Sequence, residues 1–324
     1  MGMGKEVSQY AIDMNRSNIL LTGASGFVGR FLALHLDGSR LRTYGRSPIE
    51  GIDWVKGDLS REDDYSNALV DIDVVIHLAG VSSADGVDTD ELISINVDAT
   101  LKLAFAAREA GVKRFIFMSS AKVFGDVSEY GGFDETAQKS PTDAYGYSKS
   151  LAEDRLVSDL CLSGMDVIIV RSPVVYGPGV TGNFGALLKL ARLNVPLPFG
   201  DASAGRSVIY IGNLIDFLKY VAEADSVASG IYHVSDEDVP SFSQLVVLIR
   251  NMRSKRGRVF PIPASVFIIF LRLLGRERLY SQIFEPFRLN CEKTYLSTGW
   301  RPPYTLHEGL ENTISIPLQG ELRD

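Results

Sequence analysis

Residues 18–29 read NILLTGASGFVG, a short apolar run followed by glycines at 23, 26 and 29. The pattern is typical of a β-strand that turns tightly into a helix. Gly23 permits the turn, Gly26 lets a pyrophosphate approach the backbone, and Gly29 lets the helix pack closely on its strand. The unpaired amides at the helix start suit phosphate oxygens. The stretch therefore predicts a dinucleotide-binding βαβ unit.

Apolar runs alternate with segments of helical period as far as Arg171. We predict strands at 18–22, 41–45, 54–58, 73–79, 114–120 and 166–172, and helices at 26–36, 60–70, 89–110 and 144–162. Several of these strands are apolar without alternation, as expected when helices cover both faces of a sheet. The order predicts an α/β fold, a Rossmann-like doubly wound parallel sheet.

The pattern loosens after Arg171. A Gly/Pro-rich stretch precedes a helix predicted around 186–193, one more strand is predicted near Ile231, and the chain from Ser241 onward is mostly helical. We expect a dinucleotide-binding domain of residues 14–172 plus about 207–235. A smaller, mostly helical substrate-binding lobe takes 173–206 plus about 236–318, and residues 1–13 form a leader. Such a lobe covers the carboxyl ends of the strands, where open α/β sheets bind ligands.

Composition excludes several classes of protein. The 324 residues carry a net charge of −7, which argues against a nucleic-acid partner. Cys161 and Cys291 have no metal-ligand spacing. The longest apolar run, ASVFIIFL at 264–271, is too short to span a bilayer. We predict a buried helix there, with a docking face for a membrane or a lipid-linked substrate as the alternative. The polar residues 1–13 lack a signal sequence, so we expect a cytoplasmic enzyme.

Further cofactor-binding residues are expected at the ends of the strands. Arg46 and Ser47 stand where an acidic residue usually binds the adenine ribose, and a cation with a hydroxyl suits a 2′-phosphate. The hypothesis is that NADP is preferred over NAD. Other expected cofactor contacts are Ser25, Phe27 and Val28 in the glycine loop, Asp58 and Leu59 at the adenine edge, Leu78, Ala79 and Gly80 along the ribose and phosphates, and Ser119.

A catalytic group is predicted beside this cofactor. Tyr145 and Lys149 lie four residues apart on one helix face, and Ser120 ends a strand at the same edge of the sheet. A phenol acts as acid or base near neutral pH only if its phenolate is stabilised, and the Lys149 ammonium is placed to lower the pKa of Tyr145. Lys149 is also placed to hold the nicotinamide ribose. Ser120 would hydrogen-bond the reacting oxygen.

Two polar residues receive structural interpretations. Asn96 is interpreted mainly as a helix residue that ties backbone together, with a role at a catalytic water as the alternative. His77, in an apolar strand, is interpreted as a packed imidazole rather than a catalyst.

The motifs TGASGFVG, DVVIHLAG, MSSAKVFG and YGYSK resemble those of the extended short-chain dehydrogenase/reductases, in their nucleotide-sugar epimerase/dehydratase branch. The resemblance runs from about residue 18 to 310. It implies a Ser120, Tyr145, Lys149 triad and a nucleotide sugar, UDP-linked, in the cleft. It also implies that Arg206 holds the substrate diphosphate, that Asn183 and Phe184 lie along it, and that helices 89–110 and 144–162 build a homodimer.

Departures from the family pattern narrow the range of possible reactions. Dehydratases carry an Asp-Glu pair after the catalytic hydroxyl, whereas Ala121 and Lys122 follow Ser120 here, which disfavours elimination of water. Ser207 after Arg206 and the segment IFEPF at 283–287 indicate an altered nucleotide pocket. The pattern is most similar to enzymes that act at C4 of UDP-N-acetylhexosamines or their 4-keto-6-deoxy forms.

Three functions stay open at this point. The first is a 4-epimerase or a 4-keto reductase acting on a nucleotide sugar. The second is an NADPH-dependent reductase of a non-nucleotide ketone or aldehyde, and the third is a non-catalytic cofactor-sensing protein.

Overall fold

The computed structural model describes residues 17–59, 61, 64–81, 88–129, 131–160, 164–253, 258–273, 275 and 278–315. The strands in these ranges are β1 (Ile19–Thr22), β2 (Leu41–Gly45), β3 (Asp53–Lys56), β4 (Val74–His77), β5 (Arg114–Ser120), β6 (Asp166–Ser172), β7 (Val174–Tyr176), β8 (Val208–Tyr210) and β9 (Gly230–His233). Seven of them form one parallel sheet in the order β3-β2-β1-β4-β5-β6-β9, and β7 pairs with β8. The predicted Rossmann-like parallel sheet is therefore confirmed.

Helices connect the strands and build the remainder of the chain. They are α1 (Phe27–His35), α2 (Ser66–Leu69), α3 (Thr89–Ile93), α4 (Ala99–Glu109), α5 (Ala144–Leu160), α6 (Gly182–Ala191), α7 (Ile211–Glu223), α8 (Phe242–Met252), α9 (Ala264–Leu273), α10 (Arg278–Phe284), α11 (Glu292–Thr298) and α12 (Leu306–Ser315). The chain leaves the sheet after β6 and returns to it at β9, as predicted.

The two faces of the sheet are both buried, which explains the unbroken apolar runs. Neighbouring residues of β1 belong to different clusters: Leu20 packs with Phe115 and Leu156, and Leu21 packs with Leu32 and Leu214. Successive side chains of a strand point to opposite faces, so a strand covered on both sides has no polar positions.

The segment predicted as one helix at 89–110 is interrupted. Residues Ser94–Asp98 form a π-type turn between α3 and α4. Asn96 lies in this turn, fully buried, where its amide bonds both backbone groups of Val81 and the hydroxyl of Ser148. The interpretation of Asn96 as a backbone tie is therefore confirmed. Single-turn π-bulges of this kind occur often at functional sites.

Two other helices are shorter than predicted. Only Ser66–Leu69 of the helix predicted at 60–70 is helical, with residues 60, 62 and 63 outside the described ranges. The helix predicted at 144–162 ends at Leu160, and 161–163, which include Cys161, also lie outside them. So do the expected leader, 1–13, and residues 316–318.

The apolar run at 264–271 does form a helix, and the prediction that it is buried was half right. Phe267 and Leu271 of α9 are buried, while Val266 and Ile269 are exposed. The reason is that a surface helix packs against its neighbours along one face only. Within the described ranges, no helix combines the length and apolar character needed to cross a membrane.

Candidate functional site

The glycine loop joins β1 to α1 with very little space. Gly23 adopts a φ of +73°, and a Cβ there would lie 2.6 Å from the backbone nitrogen of Ala79. A Cβ on Gly29 would lie 2.1 Å from the carbonyl oxygen of Gly23. The backbone geometry thus requires both glycines.

This loop leaves an anion-binding surface at the start of α1. Ser25 and Gly26 are exposed, and Gly26 is the N-cap with no side-chain cap. The first helical hydrogen bond runs from Arg30 N to Gly26 O, so the amides of Phe27, Val28 and Gly29 precede it. These amides and the exposed backbone fit a dinucleotide pyrophosphate by their chemistry. The assignment of individual residues to cofactor contacts stays a prediction.

The segment after β4 connects the glycine loop to the predicted catalytic pair. Leu78 and Ala79 are half-buried, and the Ala79 amide lies 3.4 Å from the hydroxyl of Thr22. A Cβ on Gly80 would lie 2.8 Å from Asn96 Oδ1 and 3.5 Å from the Nζ of Lys149. The backbone of Gly80 therefore lies directly beside the ammonium group of Lys149.

His77, one residue before this segment, is an interior residue. Its ring nitrogens bond the hydroxyls of Thr22 at 2.7 Å and Thr100 at 2.9 Å. Burial, assisted by the charge of Lys149, lowers the pKa of His77 to about 3, so the imidazole is neutral. The prediction of a packed histidine is confirmed.

Ser120 and Tyr145 come together at the carboxyl edge of the sheet. Ser120 ends β5, and its hydroxyl accepts the Lys122 amide at 3.2 Å. Tyr145, in the first turn of α5, is half-buried and close enough to the Ser120 side chain for Ser120 to influence its pKa. Helix α5 and strand β5 are packed against each other, which brings the two residues to the same part of the site.

Lys149 lies one turn further along α5 and is almost fully buried. Its ammonium donates to the carbonyl of Met118 at 2.9 Å and lies 4.5 Å from the centre of the Phe117 ring. Burial lowers the pKa of Lys149 to about 8, and the charge of Glu153 opposes this shift. The lysine therefore titrates close to neutral pH.

The prediction that Lys149 lowers the pKa of Tyr145 was wrong. Burial raises the pKa of Tyr145 to about 12, the hydrogen bond with Ser120 opposes the rise, and Asp143 adds to it. The ammonium bonds a backbone carbonyl instead of facing the phenol, so desolvation of the phenolate dominates. Tyr145 is thus a proton donor until a further positive charge or acceptor reaches the site.

The hydroxyl of Ser119 lies away from the cleft. Because adjacent strand residues point to opposite faces, it reaches Glu153 Oε1 at 2.5 Å while Ser120 faces the site. The expected contact of Ser119 with a cofactor can involve only its backbone.

Glu153 and Arg171 form a buried ion pair that the sequence analysis missed. The guanidinium of Arg171 in β6 donates to both oxygens of Glu153 in α5, at 2.9 and 2.7 Å, and both side chains are almost fully buried. The pair joins the helix of Tyr145 and Lys149 to the sheet. The signal was an arginine inside the apolar run DVIIVRS, since a buried cation requires a partner.

The predicted adenine-side residues follow β2 and β3 at the same edge of the sheet. Arg46 is exposed and lies two residues after Tyr44, which pairs in register with Thr22 of β1. Asp58 and Leu59 follow β3 and are half-buried. All three lie near the carboxyl ends of neighbouring strands, next to the glycine loop.

Two residues expected at the substrate diphosphate differ in burial: Asn183 is exposed and Phe184 is buried. The Asn183 amide donates to the side chain of Gln282 at 2.9 Å on the surface. Phe184 is buried and stacks on Tyr176 at 4.8 Å between ring centres, so its side chain belongs to the core and only its backbone is left for a ligand. The expectation that Asn183 and Phe184 lie along the diphosphate stays a prediction, and for Phe184 it can concern only the backbone.

Arg206 is tied to helix α10 and the segment after it. Its Nη1 donates to the carbonyls of Ser281 at 2.9 Å and Glu285 at 2.6 Å. Burial lowers the pKa of Arg206 to about 10, which Asp126 and Glu285 oppose. A half-buried cation held in this way keeps its charge at neutral pH and is placed to attract an anion.

Comparisons with known proteins show which family the chain belongs to. Residues 19–235 match the pattern of the NAD dependent epimerase/dehydratase family. The chain belongs to this family. It is 33% identical to UDP-glucose 4-epimerase of Vibrio cholerae over 94% of this chain and 97% of the relative. It is 27% identical to N-acetyl-alpha-D-glucosaminyl-diphospho-ditrans,octacis-undecaprenol 4-epimerase of Escherichia coli O157:H7, over 95% and 97% of the two chains.

A solved structure supports the same fold. The chain superimposes on UDP-glucuronic acid 4-epimerase from Bacillus cereus, solved in complex with NAD, with a TM-score of 0.74 at 21% identity. The alignment covers 92% of this chain and 97% of the other. The predicted resemblance to nucleotide-sugar epimerases of the short-chain dehydrogenase/reductase type is confirmed, and the protein is an NAD(P)-dependent enzyme of that type.

Proposed function

We propose that the protein inverts C4 of a UDP-linked hexose or N-acetylhexosamine. The main support is the arrangement of Ser120, Tyr145 and Lys149 beside the glycine loop, together with the 33% identity to a UDP-glucose 4-epimerase over 94% of the chain. A bound nicotinamide supplies the hydride acceptor and donor.

Tyr145 moves the proton in this proposal. Its phenolate takes the proton from the sugar O4 hydroxyl as C4 is oxidised to a ketone, and the phenol returns a proton to O4 when C4 is reduced from the other face. Ser120, whose side chain influences the pKa of Tyr145, donates to the same oxygen as its charge develops. We propose that the Lys149 ammonium, which donates to the Met118 carbonyl, turns towards the phenol when sugar and dinucleotide bind and then offsets the burial that keeps Tyr145 protonated.

Arg206 and Asn183 are proposed to receive the substrate diphosphate. The charge of Arg206 is compensated by backbone carbonyls and not by a direct ion pair with a carboxylate among the described residues. A guanidinium of this kind retains attraction for an anion. Asn183 lies on α6, which faces the same helix α10 through Gln282.

The test is turnover of defined sugars. UDP-glucose and UDP-N-acetylglucosamine are incubated separately with the purified protein and NAD, and the C4 proton is followed by NMR. Appearance of the galacto configuration supports the proposal. Reduction of a UDP-4-keto-6-deoxy sugar with NADPH, without inversion of either hexose, would favour the 4-keto reductase. Turnover of only simple ketones or aldehydes would favour the non-nucleotide reductase.

Arg46 bears on which dinucleotide is used. The hypothesis that NADP binds more tightly than NAD rests on Arg46 and Ser47, which are exposed after β2 where no carboxylate occupies the corresponding position. We expect Arg46→Glu to weaken the binding of NADP by more than about tenfold, because a charge-assisted hydrogen bond contributes about 1.5–3 kcal/mol. The affinity for NAD should change far less. Fluorescence titration of both dinucleotides checks this, and tighter binding of NAD by the native chain would overturn the preference.

We further propose a homodimer built on α4 and α5. These helices pack on each other on one side of the sheet, and Val157 leaves an apolar side chain exposed there. Light scattering should give twice the chain mass. Val157→Glu should shift it towards the monomer, whereas a monomer for the native chain contradicts the proposal.

A further inference from the structure

The outward face of α9 carries three large apolar side chains. Val266, Ile269 and Leu273 are 54, 57 and 82% exposed, although Phe267 and Leu271 bury the opposite side of the same helix. Residues three and four apart share a helix face, so the three form one strip. Single exposed apolar residues are common on protein surfaces. A contiguous apolar strip on a helix whose buried side is also apolar is uncommon.

Further exposed apolar residues lie on the adjoining segments. Leu193, Val195 and Phe260 are all exposed. Arg250 holds this region together, donating to the carbonyls of Leu193 at 2.6 Å and Val195 at 2.7 Å. Six of the thirteen exposed large apolar side chains in the described ranges thus lie in 193–195 and 260–273, which we name the α9 surface.

The sequence around this surface is strongly basic. Residues 241–284 contain eight Lys and Arg and one Glu, a local charge of +7 in a chain whose net charge is −7, although one of the eight, Arg250, is buried. Among the described residues, Arg258 and Arg272 are exposed on the segments that carry the apolar strip. Apolar side chains flanked by arginines are the composition of helices that lie in the interface of anionic bilayers.

We propose that the α9 surface docks on an anionic phospholipid bilayer. A ten-residue helix is about 15 Å long, half the thickness of the hydrocarbon core, so it lies in the interface and does not span it. Val266, Ile269 and Leu273 enter the headgroup region, and Arg258 and Arg272 bind lipid phosphates. A bilayer is the occupant that we favour over a second copy, because its interface offers both an apolar region for the strip and phosphates for the arginines.

Docking there places the predicted substrate cleft close to the lipid. Phe267 of α9 packs on Phe284 of α10 at 5.0 Å between ring centres. The same α10 contacts Arg206 through the Ser281 carbonyl and Asn183 through Gln282. One helix therefore separates the lipid-facing strip from the residues proposed to receive the diphosphate. The docking itself does not depend on the proposed sugar chemistry.

Vesicle flotation with the full chain tests the proposal. The probes are vesicles of phosphatidylglycerol and phosphatidylethanolamine, with pure phosphatidylcholine vesicles for comparison. We expect binding to the anionic vesicles only, weakened by high salt. Arg258→Gln and Arg272→Gln should each weaken it about fivefold. The triple change V266S/I269S/L273S should weaken it by more than tenfold, and being on the surface it should leave the fold and sugar turnover intact.

Matched controls remove the same chemistry elsewhere. L34S/V70S/L296S deletes three exposed apolar side chains, and R155Q/R301Q deletes two exposed arginines, all outside the α9 surface. Both should bind vesicles like the native chain. The proposal is overturned if the native chain ignores anionic vesicles at low salt, or if the controls lose binding as much as the α9 variants. It is also overturned if the triple change alters only the mass seen by light scattering, which would identify a second copy as the occupant.

Discussion

At the scale of single residues, the properties of the site depend on how deeply each group is buried. Tyr145 and Lys149 are four residues apart, yet burial raises the pKa of the first to about 12 and lowers that of the second to about 8. Desolvation disfavours whichever form is charged, so it shifts a phenol and an ammonium in opposite directions. At neutral pH the site therefore holds a protonated phenol and, one helical turn away, a lysine that is charged but loses its charge more easily than an exposed lysine.

The pH dependence of turnover should report Lys149. Below about pH 8 the buried lysine is an ammonium, and above that value it becomes neutral and can no longer supply the charge that is proposed to stabilise the Tyr145 phenolate when sugar and dinucleotide are bound. We expect kcat/KM to fall by about tenfold per pH unit above pH 8. A profile from pH 6 to 10, measured with saturating dinucleotide, checks this. A rate that stays constant to pH 10 would contradict the role given to this charge.

At the scale of elements, the close approach of α1 to β1 makes Gly29 sensitive. Gly29→Ala places a Cβ 2.1 Å from a backbone oxygen, which cannot move without displacing the glycine loop. We expect a loss of about 2–3 kcal/mol in the free energy of unfolding and weaker dinucleotide binding. Urea unfolding and fluorescence titration measure these effects. Gly38→Ala, whose new Cβ would meet its nearest atom at 3.9 Å, is the control and should leave dinucleotide binding unchanged.

The ion pair between α5 and β6 supports the catalytic helix. Glu153→Gln leaves the charge of Arg171 buried without its carboxylate partner, at an expected cost of about 3–5 kcal/mol. The apolar double variant Glu153→Leu with Arg171→Met should cost less than this single change, because no charge stays buried. Urea unfolding compares the variants. Glu237→Gln, which breaks the exposed pair with Arg301, should cost below about 1 kcal/mol, and an equal loss in both pairs would refute the buried role.

At the scale of the whole molecule, the sequence predicted the sheet well because its strands are covered on both faces. Apolar runs such as NILLT and DVIIVRS have no alternative to the interior, so their positions follow from composition alone. The edge of the sheet that carries the candidate site could then be predicted as well, since parallel strands present their carboxyl ends together. Burial patterns of surface elements were harder: nothing in ASVFIIFL distinguishes the buried Phe267 from the exposed Ile269.

Properties that depend on contacts between distant parts of the chain could not be predicted from the sequence. The Ser148 partner of Asn96, the Glu153 partner of Arg171 and the backbone partner of Lys149 are each far from these residues in the chain. The wrong expectation for the pKa of Tyr145 has the same origin, because spacing on a helix says that two side chains share a face but not which group each one contacts.

The most direct measurement compares Tyr145→Phe with Tyr147→Phe in the NMR assay of C4 inversion. Tyr147 lies two residues further on the same helix and is 50% exposed, so its variant controls for the loss of a hydroxyl. We predict that Tyr145→Phe lowers kcat by about 10²–10⁴-fold while it binds dinucleotide like the native chain, and that Tyr147→Phe retains full activity. Undiminished turnover by the Tyr145→Phe variant would contradict the assignment of proton transfer to this phenol.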